Sequence, residues 1–299
     1  MVWENCNVTL NSGDSGIFYT GNIVTGSVTV EFKKEQKIKY VVFKVIGVSK
    51  ARWSRAAPTI PYLKIYSEKY EVLDETIDVF SEINGKKVKP GISNFQFHFT
   101  LPSDLPSTFK SSIASVHYFI EIKCKASCNR KKVKIIPFVV LSYVDLNCVE
   151  DNKVPMMYEM SKVFKTSGTF SLYFKTYRGF APKQSLPFEI DISNEKKVKI
   201  SKIIVSLIQK LEYVVSTGYA NDEKKICKIE HRDLTNESKE YCKIFMDVPQ
   251  TAPSSINVRN PMVNISYVLR VEVIFKFHLT LYEDIPVTIS TVPIQHYSY

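Results

Sequence analysis

Val24-Thr25-Gly26-Ser27-Val28-Thr29-Val30 returns, in kind, as Leu186-Pro187-Phe188-Glu189-Ile190-Asp191-Ile192. In both stretches apolar or small residues hold every second position and mostly polar ones fill the gaps, the period-two pattern of a half-buried strand. A constant shift of 162 residues relates the two, and the same shift carries Val41, Phe43 and Val45 onto Ile203, Val205 and Leu207. A second set of landmarks follows at a shift of 147, taking Leu101-Pro102 and Leu105-Pro106-Ser107 to Val248-Pro249 and Ala252-Pro253-Ser254. Tyr118 and Tyr267 then open matching strands. Self-similarity over two long copies predicts two like-folded domains and not a short-repeat solenoid, and 299 residues suit two domains. The expected division is 1–150 and 151–299, because Asn147 to Lys165 is mixed, charged and broken by Pro155.

The rest of the chain reads as strand. Phe95, Phe97, Phe99 and Leu101 alternate with Gln96, His98 and Thr100. Val116, Tyr118, Ile120 and Ile122 form another such run, as do Ile265, Tyr267, Leu269, Val271 and Val273. Turn signals separate them at Asn84-Gly85, Pro90-Gly91, Asn194, Asn221-Asp222 and Asn260-Pro261. Short strands without intervening helices predict an all-β protein of two tandem antiparallel β-sandwich domains, immunoglobulin-like in character.

Composition sets limits on partners. With 44% hydrophobic and 23% charged residues the chain is ordinary globular material, and halves of roughly 150 residues each bury about 68 to 70% of their unfolded surface. The first residues show neither a basic nor an apolar signal region, and no run approaches a membrane span. The expectation is a soluble, cytoplasmic protein whose six cysteines stay thiols and whose sequons at Asn7, Asn236 and Asn264 go unused. A net charge of +10 points to acidic lipid headgroups, acidic or phosphorylated peptides, or nucleic acid. Nucleic acid is set aside, since no recognition motif or exposed interleaved aromatics accompany the charge. Lysines cluster at expected turns, where they also keep strand edges from aggregating. The candidate for partner binding is the run Lys123, Lys125, Arg130, Lys131, Lys132 and Lys134, six basic residues without an acid between them.

Reactive constellations are absent. Gly13-Asp14-Ser15-Gly16 has the form of a protease nucleophile motif, but only twelve residues precede it and the partner histidine and aspartate have nowhere to stand. Cys124 and Cys128 lack a second ligand pair, and Cys227, His231 and Cys242 have no zinc spacing. No Gly-rich phosphate loop occurs. A non-enzymatic binding protein with no metal or cofactor is expected. The aromatics read as core, with Trp53 between Arg52 and Arg55 as the one to watch, either packed on its sheet or anchoring a partner.

Tyr19-x-Gly21-x-x-x-x-Gly26, Phe97-x-Phe99-x-Leu101-Pro102-x-x-Leu105-Pro106-Ser107-x-Phe109 and Asp145-Leu146-Asn147 at the junction together resemble an arrestin, more narrowly the α-arrestin, arrestin domain-containing group. Ser167-Gly168-x-Phe170-x-Leu172, Gly179-Phe180-Ala181-Pro182, Ile208-Gln209-Lys210 and Ser290-Thr291-Val292-Pro293 are similar to the C-terminal arrestin domain. The resemblance implies a trafficking adaptor that binds cytosolic tails of membrane proteins, at the plasma membrane or endosomes, and brings them to ubiquitin ligases or endosomal sorting factors. It leaves open a structural subunit of a retromer-like complex and a thioredoxin-binding redox regulator. Three departures accompany it. Thr176 stands where phosphate-sensing arrestins carry an arginine, no Pro-Pro-x-Tyr motif occurs, and a glycine expected near Gln184 is replaced.

Overall fold

The computed structural model describes residues 3–11, 16–56, 62–127, 130–164, 168–259 and 262–297. Asp14 and Ser15 of the Gly-Asp-Ser-Gly motif, Cys128, Ser167 and Asn260-Pro261 lie outside the described residues. Two compact units emerge: Met1–Tyr143 with Tyr213–Tyr219 and Asn257–Val263, and Val144–Glu212 with Ala220–Ile256 and Asn264–Tyr299. Among the described residues the helical structure is one 3-10 turn, Glu150–Asn152, and no helix is long and apolar enough to cross a membrane.

The first sandwich pairs a sheet of β1 (Cys6–Leu10), β3 (Ile23–Phe32) and β7 (Gly91–Thr100) with a larger one ordered β2 (Ile17–Tyr19), β10 (Lys131–Leu141), β9 (Ala114–Ala126), β4 (Gln36–Ala56) and β5 (Leu63–Ile77). β6 (Lys87–Val88) adds to β4 and β8 (Phe109–Lys110) to β9. The second sandwich pairs β11 (Met156–Phe164), β12 (Gly168–Thr176), β14 (Ser185–Asn194) and β17 (Lys239–Asp247) with a sheet ordered β13 (Gly179–Phe180), β19 (Leu281–Ile289), β18 (Val263–Phe275), β15 (Ile200–Val215) and β16 (Gly218–His231). The order β2-β10-β9-β4-β5 is thus repeated as β13-β19-β18-β15-β16. Even the parallel pairs correspond, since β2 lies parallel to β10 and β13 parallel to β19.

The alternation seen in the sequence is the alternation of burial. Val24, Val28, Val30 and Phe32 of β3 are buried, as are Leu186, Phe188, Ile190 and Ile192 of β14. Gly26 holds its place in that row because a Cβ there would stand 2.3 Å from the Thr9 carbonyl and 2.5 Å from the Phe97 ring. Phe43 packs on Phe97 at 4.8 Å between ring centres, and Phe174 on Phe188 at 5.2 Å. Ring pairs at these separations add to the apolar burial that drives the fold.

The copies also share their buried polar chemistry. The Tyr118 hydroxyl donates to the Pro106 carbonyl at 2.6 Å, and the Tyr267 hydroxyl to the Ala252 carbonyl at 2.6 Å. Ser107 Oγ accepts from the Ser142 amide at 2.9 Å, while Ser254 Oγ accepts from the Ile289 amide at 2.9 Å. These bonds tie the Pro-containing crossing segment of each half to its last two strands, satisfying groups that would otherwise be buried unpaired.

One reading changes and one open alternative closes. The segment from 147 to 165 is not merely a mixed linker, because β11 occupies most of it, pairs along its whole length with β12 and buries Met160 and Phe164. Trp53 is packed and only 9% exposed, stacked on its cross-strand partner Tyr66 at 5.3 Å with the rings 8° from parallel.

Candidate functional site: the basic edge of the first sandwich

β9 and β10 form the hairpin that carries the six basic candidates, and the pleat divides them. Lys123 and Lys125 stand opposite Val133 and Lys131 on one face, whereas Lys132 and Lys134 stand opposite Cys124 and Ile122 on the other. Successive side chains of a strand point to opposite faces, so adjacent lysines in the sequence cannot share a surface. Lys132 Nζ donates to the Trp3 carbonyl at 2.8 Å, and Lys123 pairs with Glu121 at 2.5 Å. Arg130 lines a separate concavity of about 430 Å³ with Trp3, Glu4, Lys33, Lys34 and Gln36. Lys125, Lys131 and Lys134 make no ion pair among the described residues. The structure therefore brings Lys123, Lys125 and Lys131 together and separates them from Lys132, Lys134 and Arg130.

Behind Lys132 and Lys134 lie two buried thiols. Burial pushes Cys6 up to about 11 despite the pull of Lys134 and Lys132, and pushes Cys124 up to about 12. Thiols held neutral in this way are poor nucleophiles and poor metal ligands. No group of three His, Cys, Asp or Glu residues among the described residues is placed to hold a metal ion.

The hairpin's second feature is its open side. The Ala126 amide donates to the Arg130 carbonyl at 3.0 Å, which fixes the phase of the antiparallel ladder. Even-numbered residues from 130 to 138 then turn their backbone groups to β9, while Lys131, Val133, Ile135 and Pro137 turn theirs away. β2 covers β10 only at Val139–Leu141. Among the described residues no strand covers the outward groups from Lys131 to Pro137. Pro137 sits in the outward phase, where its lack of an N–H costs no ladder bond. Val133 and Ile135 are 45% and 56% exposed on this edge. The result is a strand edge whose outward donors and acceptors meet no strand among the described residues, flanked by two apolar side chains and a cluster of lysines.

A second basic surface escaped sequence reasoning. Register places Lys110 opposite Ser115, Ser115 opposite Lys50, and Lys50 opposite Lys69, three lysines in one row across four strands. They line a concavity of about 320 Å³ with Arg52 and His117. These residues are far apart in the chain, and only the pairing of β8, β9, β4 and β5 assembles them, so no local motif announces them. Thr176, at which the sequence resemblance departs from the phosphate-sensing arrestins, is 1% exposed and its hydroxyl has no hydrogen-bond partner among the described residues. A neutral buried side chain cannot serve in a charge-triggered switch.

A duplicated sandwich with repeated strand order defines a class of tandem β-sandwich proteins. Residues 6–147 match the family model of the arrestin (or S-antigen) N-terminal domain and residues 176–294 match that of the C-terminal domain. The chain belongs to the arrestin family. It is 26% identical over 147 residues to arrestin domain-containing protein 1 of Rattus norvegicus, covering 47% of this chain and 34% of that protein. It is 22% identical over 229 residues to arrestin domain-containing protein 5 of Homo sapiens, covering 74% and 66% respectively. Arrestin domain-containing protein 17 of Caenorhabditis elegans is 21% identical over 305 aligned positions, covering 92% of this chain and 68% of that protein. The aligned regions thus span from about one third to two thirds of these relatives' own length.

Proposed function

We propose that the chain is a non-enzymatic adaptor that captures acidic, extended segments of membrane-protein tails along the outward edge of β10. The observation that carries this reading is the outward side of Lys131–Pro137, which no strand covers among the described residues, with Lys123, Lys125 and Lys131 beside it. A peptide added as a strand gains main-chain hydrogen bonds from the edge and specificity from the side chains flanking it, and the lysines supply charge complementarity for acidic residues. The adaptor acts by joining this cargo to a second partner, a ubiquitin ligase or an endosomal sorting factor, in the cytoplasm at the surface of the plasma membrane or endosomes. Family membership supports the adaptor role in general terms.

Val133→Pro tests the edge directly. It removes an outward N–H and leaves every bond to β9 in place, so the protein folds while strand addition fails. Fluorescence anisotropy with a labelled acidic tail peptide should show affinity reduced about tenfold or more by Val133→Pro, and similarly by Lys125→Glu with Lys131→Glu. Unchanged affinity in both variants at low salt would remove the edge as the site. Binding to anionic vesicles but not to the peptide would instead assign the lysines to lipid.

A further inference from the structure

The outward face of the sheet β11-β12-β14-β17 carries rows of side chains set by register. In one row Lys175, Glu189 and Lys243 stand on three neighbouring strands. Glu189 accepts from Lys175 at 3.1 Å on one side and from Lys243 at 3.3 Å on the other. Its carboxyl is held below the ordinary range first by the Lys175 bond. Two residues along each strand the same arrangement recurs as Tyr173, Asp191 and Tyr241. The central carboxylate is kept and both flanking lysines are tyrosines.

Asp191 makes no ion pair or hydrogen bond among the described residues, and it is solvent-exposed. The row continues onto β11 with a second carboxylate, Glu159, opposite Tyr173. Glu159 raises the Tyr173 hydroxyl above its ordinary value, chiefly through its charge. In a chain of net charge +10, this row holds two carboxylates and no cation. A concavity of about 500 Å³ is lined by Tyr173, Asp191, Ser193, Lys239, Glu240 and Tyr241. Glu240 is already engaged by the amides of Thr235 and Asn236 at 2.8 and 3.2 Å. Lys239, opposite Ser193 in the next row, is the one lysine lining the concavity. Tyr241 is 58% exposed.

Strand spacing sets the geometry. Tyr173 and Tyr241 stand on strands separated by one intervening strand, so their backbones are about 9.5 Å apart. That interval leaves room for one flat group between the two tyrosine side chains, over Asp191 on the intervening strand. A guanidinium suits all three elements. It stacks on tyrosine faces as a weakly hydrated planar cation, and its fork of N–H donors meets a carboxylate in two parallel bonds. We propose that Tyr173, Asp191 and Tyr241 form a cradle for the arginine side chain of a partner's basic segment. The neighbouring row shows the filled counterpart, in which the protein's own lysines neutralise the carboxylate. This surface is distinct from the β10 edge and selects the opposite charge.

The probe is an acetylated, amidated peptide with one arginine, measured against its lysine and citrulline counterparts by NMR titration of the full chain. Saturable shifts should centre on Tyr173, Asp191 and Tyr241, with arginine favoured over lysine and citrulline silent. Asp191→Asn keeps the shape and should weaken binding about tenfold. Tyr241→Lys, which rebuilds the adjacent row, should abolish it while leaving the rest of the spectrum unchanged. Lys239→Ala should strengthen binding. Equal affinity in the parent protein and Asp191→Asn, equal affinity for citrulline, or no saturable shifts at millimolar peptide would each overturn the cradle.

Discussion

Two tyrosine hydroxyls do the same task with unequal partners. Tyr118 donates to one carbonyl, and its ring fills the space that Gly47 leaves, since a Cβ on Gly47 would stand 2.6 Å from it. The shift of 162 carries Gly47 to Gln209, whose amide donates to the Tyr267 hydroxyl at 2.6 Å, with Thr251 also 2.9 Å from that oxygen. Tyr118→Phe leaves one buried carbonyl unpaired and should cost about 1–2 kcal/mol, whereas Tyr267→Phe also strands the Gln209 donor and should cost about 2–4 kcal/mol. Urea unfolding of the two variants checks the order, and a larger loss in Tyr118→Phe would contradict it. The glycine expected near Gln184 has a similar explanation. Positive φ in that turn falls on Lys183, at 68°. Gln184 closes the turn with its own side chain, accepting from the Ala181 amide and donating to the Ile294 carbonyl, both at 2.9 Å. Pro182-Lys183 thus occupies the centre of a turn that prefers Gly or Asn in its second place. Lys183→Asn should stabilise the protein by roughly 0.5 kcal/mol, because Asn tolerates the left-handed region better, and a lowered urea midpoint would argue against it.

At the scale of elements, the edge of β10 makes a sharp prediction for amide exchange. Lys132, Lys134 and Ile136 donate to β9 and should be protected, while Lys131, Val133 and Ile135 should exchange rapidly, giving a period of two along one strand. Uniform protection would mean that another segment covers this edge. The strands themselves were legible from alternation, because each buries one face and a register slip would invert every side chain. β11 was not legible: Met156 to Phe164 buries only Met160 and Phe164, and its exposed Met157 and Val163 blur the alternation. An edge strand with one buried contact per turn of pattern leaves little signal. The candidate site was half legible for a related reason. Composition marks Lys123 to Lys134 as basic, but which lysines share a face depends on where the hairpin turns, and that is set by pairing with β9. The Lys110, Lys50 and Lys69 row and the Tyr173, Asp191 and Tyr241 row exist only across strands, so no local window contains them.

For the molecule as a whole, three cysteines contribute a separable part of how stability responds to alkali. Cys6 and Cys124 are buried in the first unit's core, where burial raises them to about 11 and about 12 from an ordinary 9.0. Cys242 in the second unit is likewise raised to about 11 by burial, helped by Glu240 and Asp191. Above pH 9 the unfolded chain releases these protons and the folded chain keeps them, so the folded state binds more protons and its stability falls as pH rises. Below pH 9 both states hold the protons and the contribution is constant. Each thiol adds up to about 1.4 kcal/mol per pH unit to the slope between its unfolded and folded values. Lysine and tyrosine ionisation add their own terms, but these are common to parent and variant, so the difference in slope isolates the thiols. Urea unfolding between pH 8 and 10.5 should give a shallower slope for Cys6→Ala with Cys124→Ala than for the parent, and Cys242→Ala should flatten it independently. The first two are coupled, since ionised Cys6 raises Cys124 further. Their single variants should therefore depart from additivity while either combined with Cys242→Ala should not. An identical slope in the parent and in the Cys6→Ala, Cys124→Ala protein would show that these thiols ionise in the folded state as readily as in the unfolded one, and that the first core is open to water.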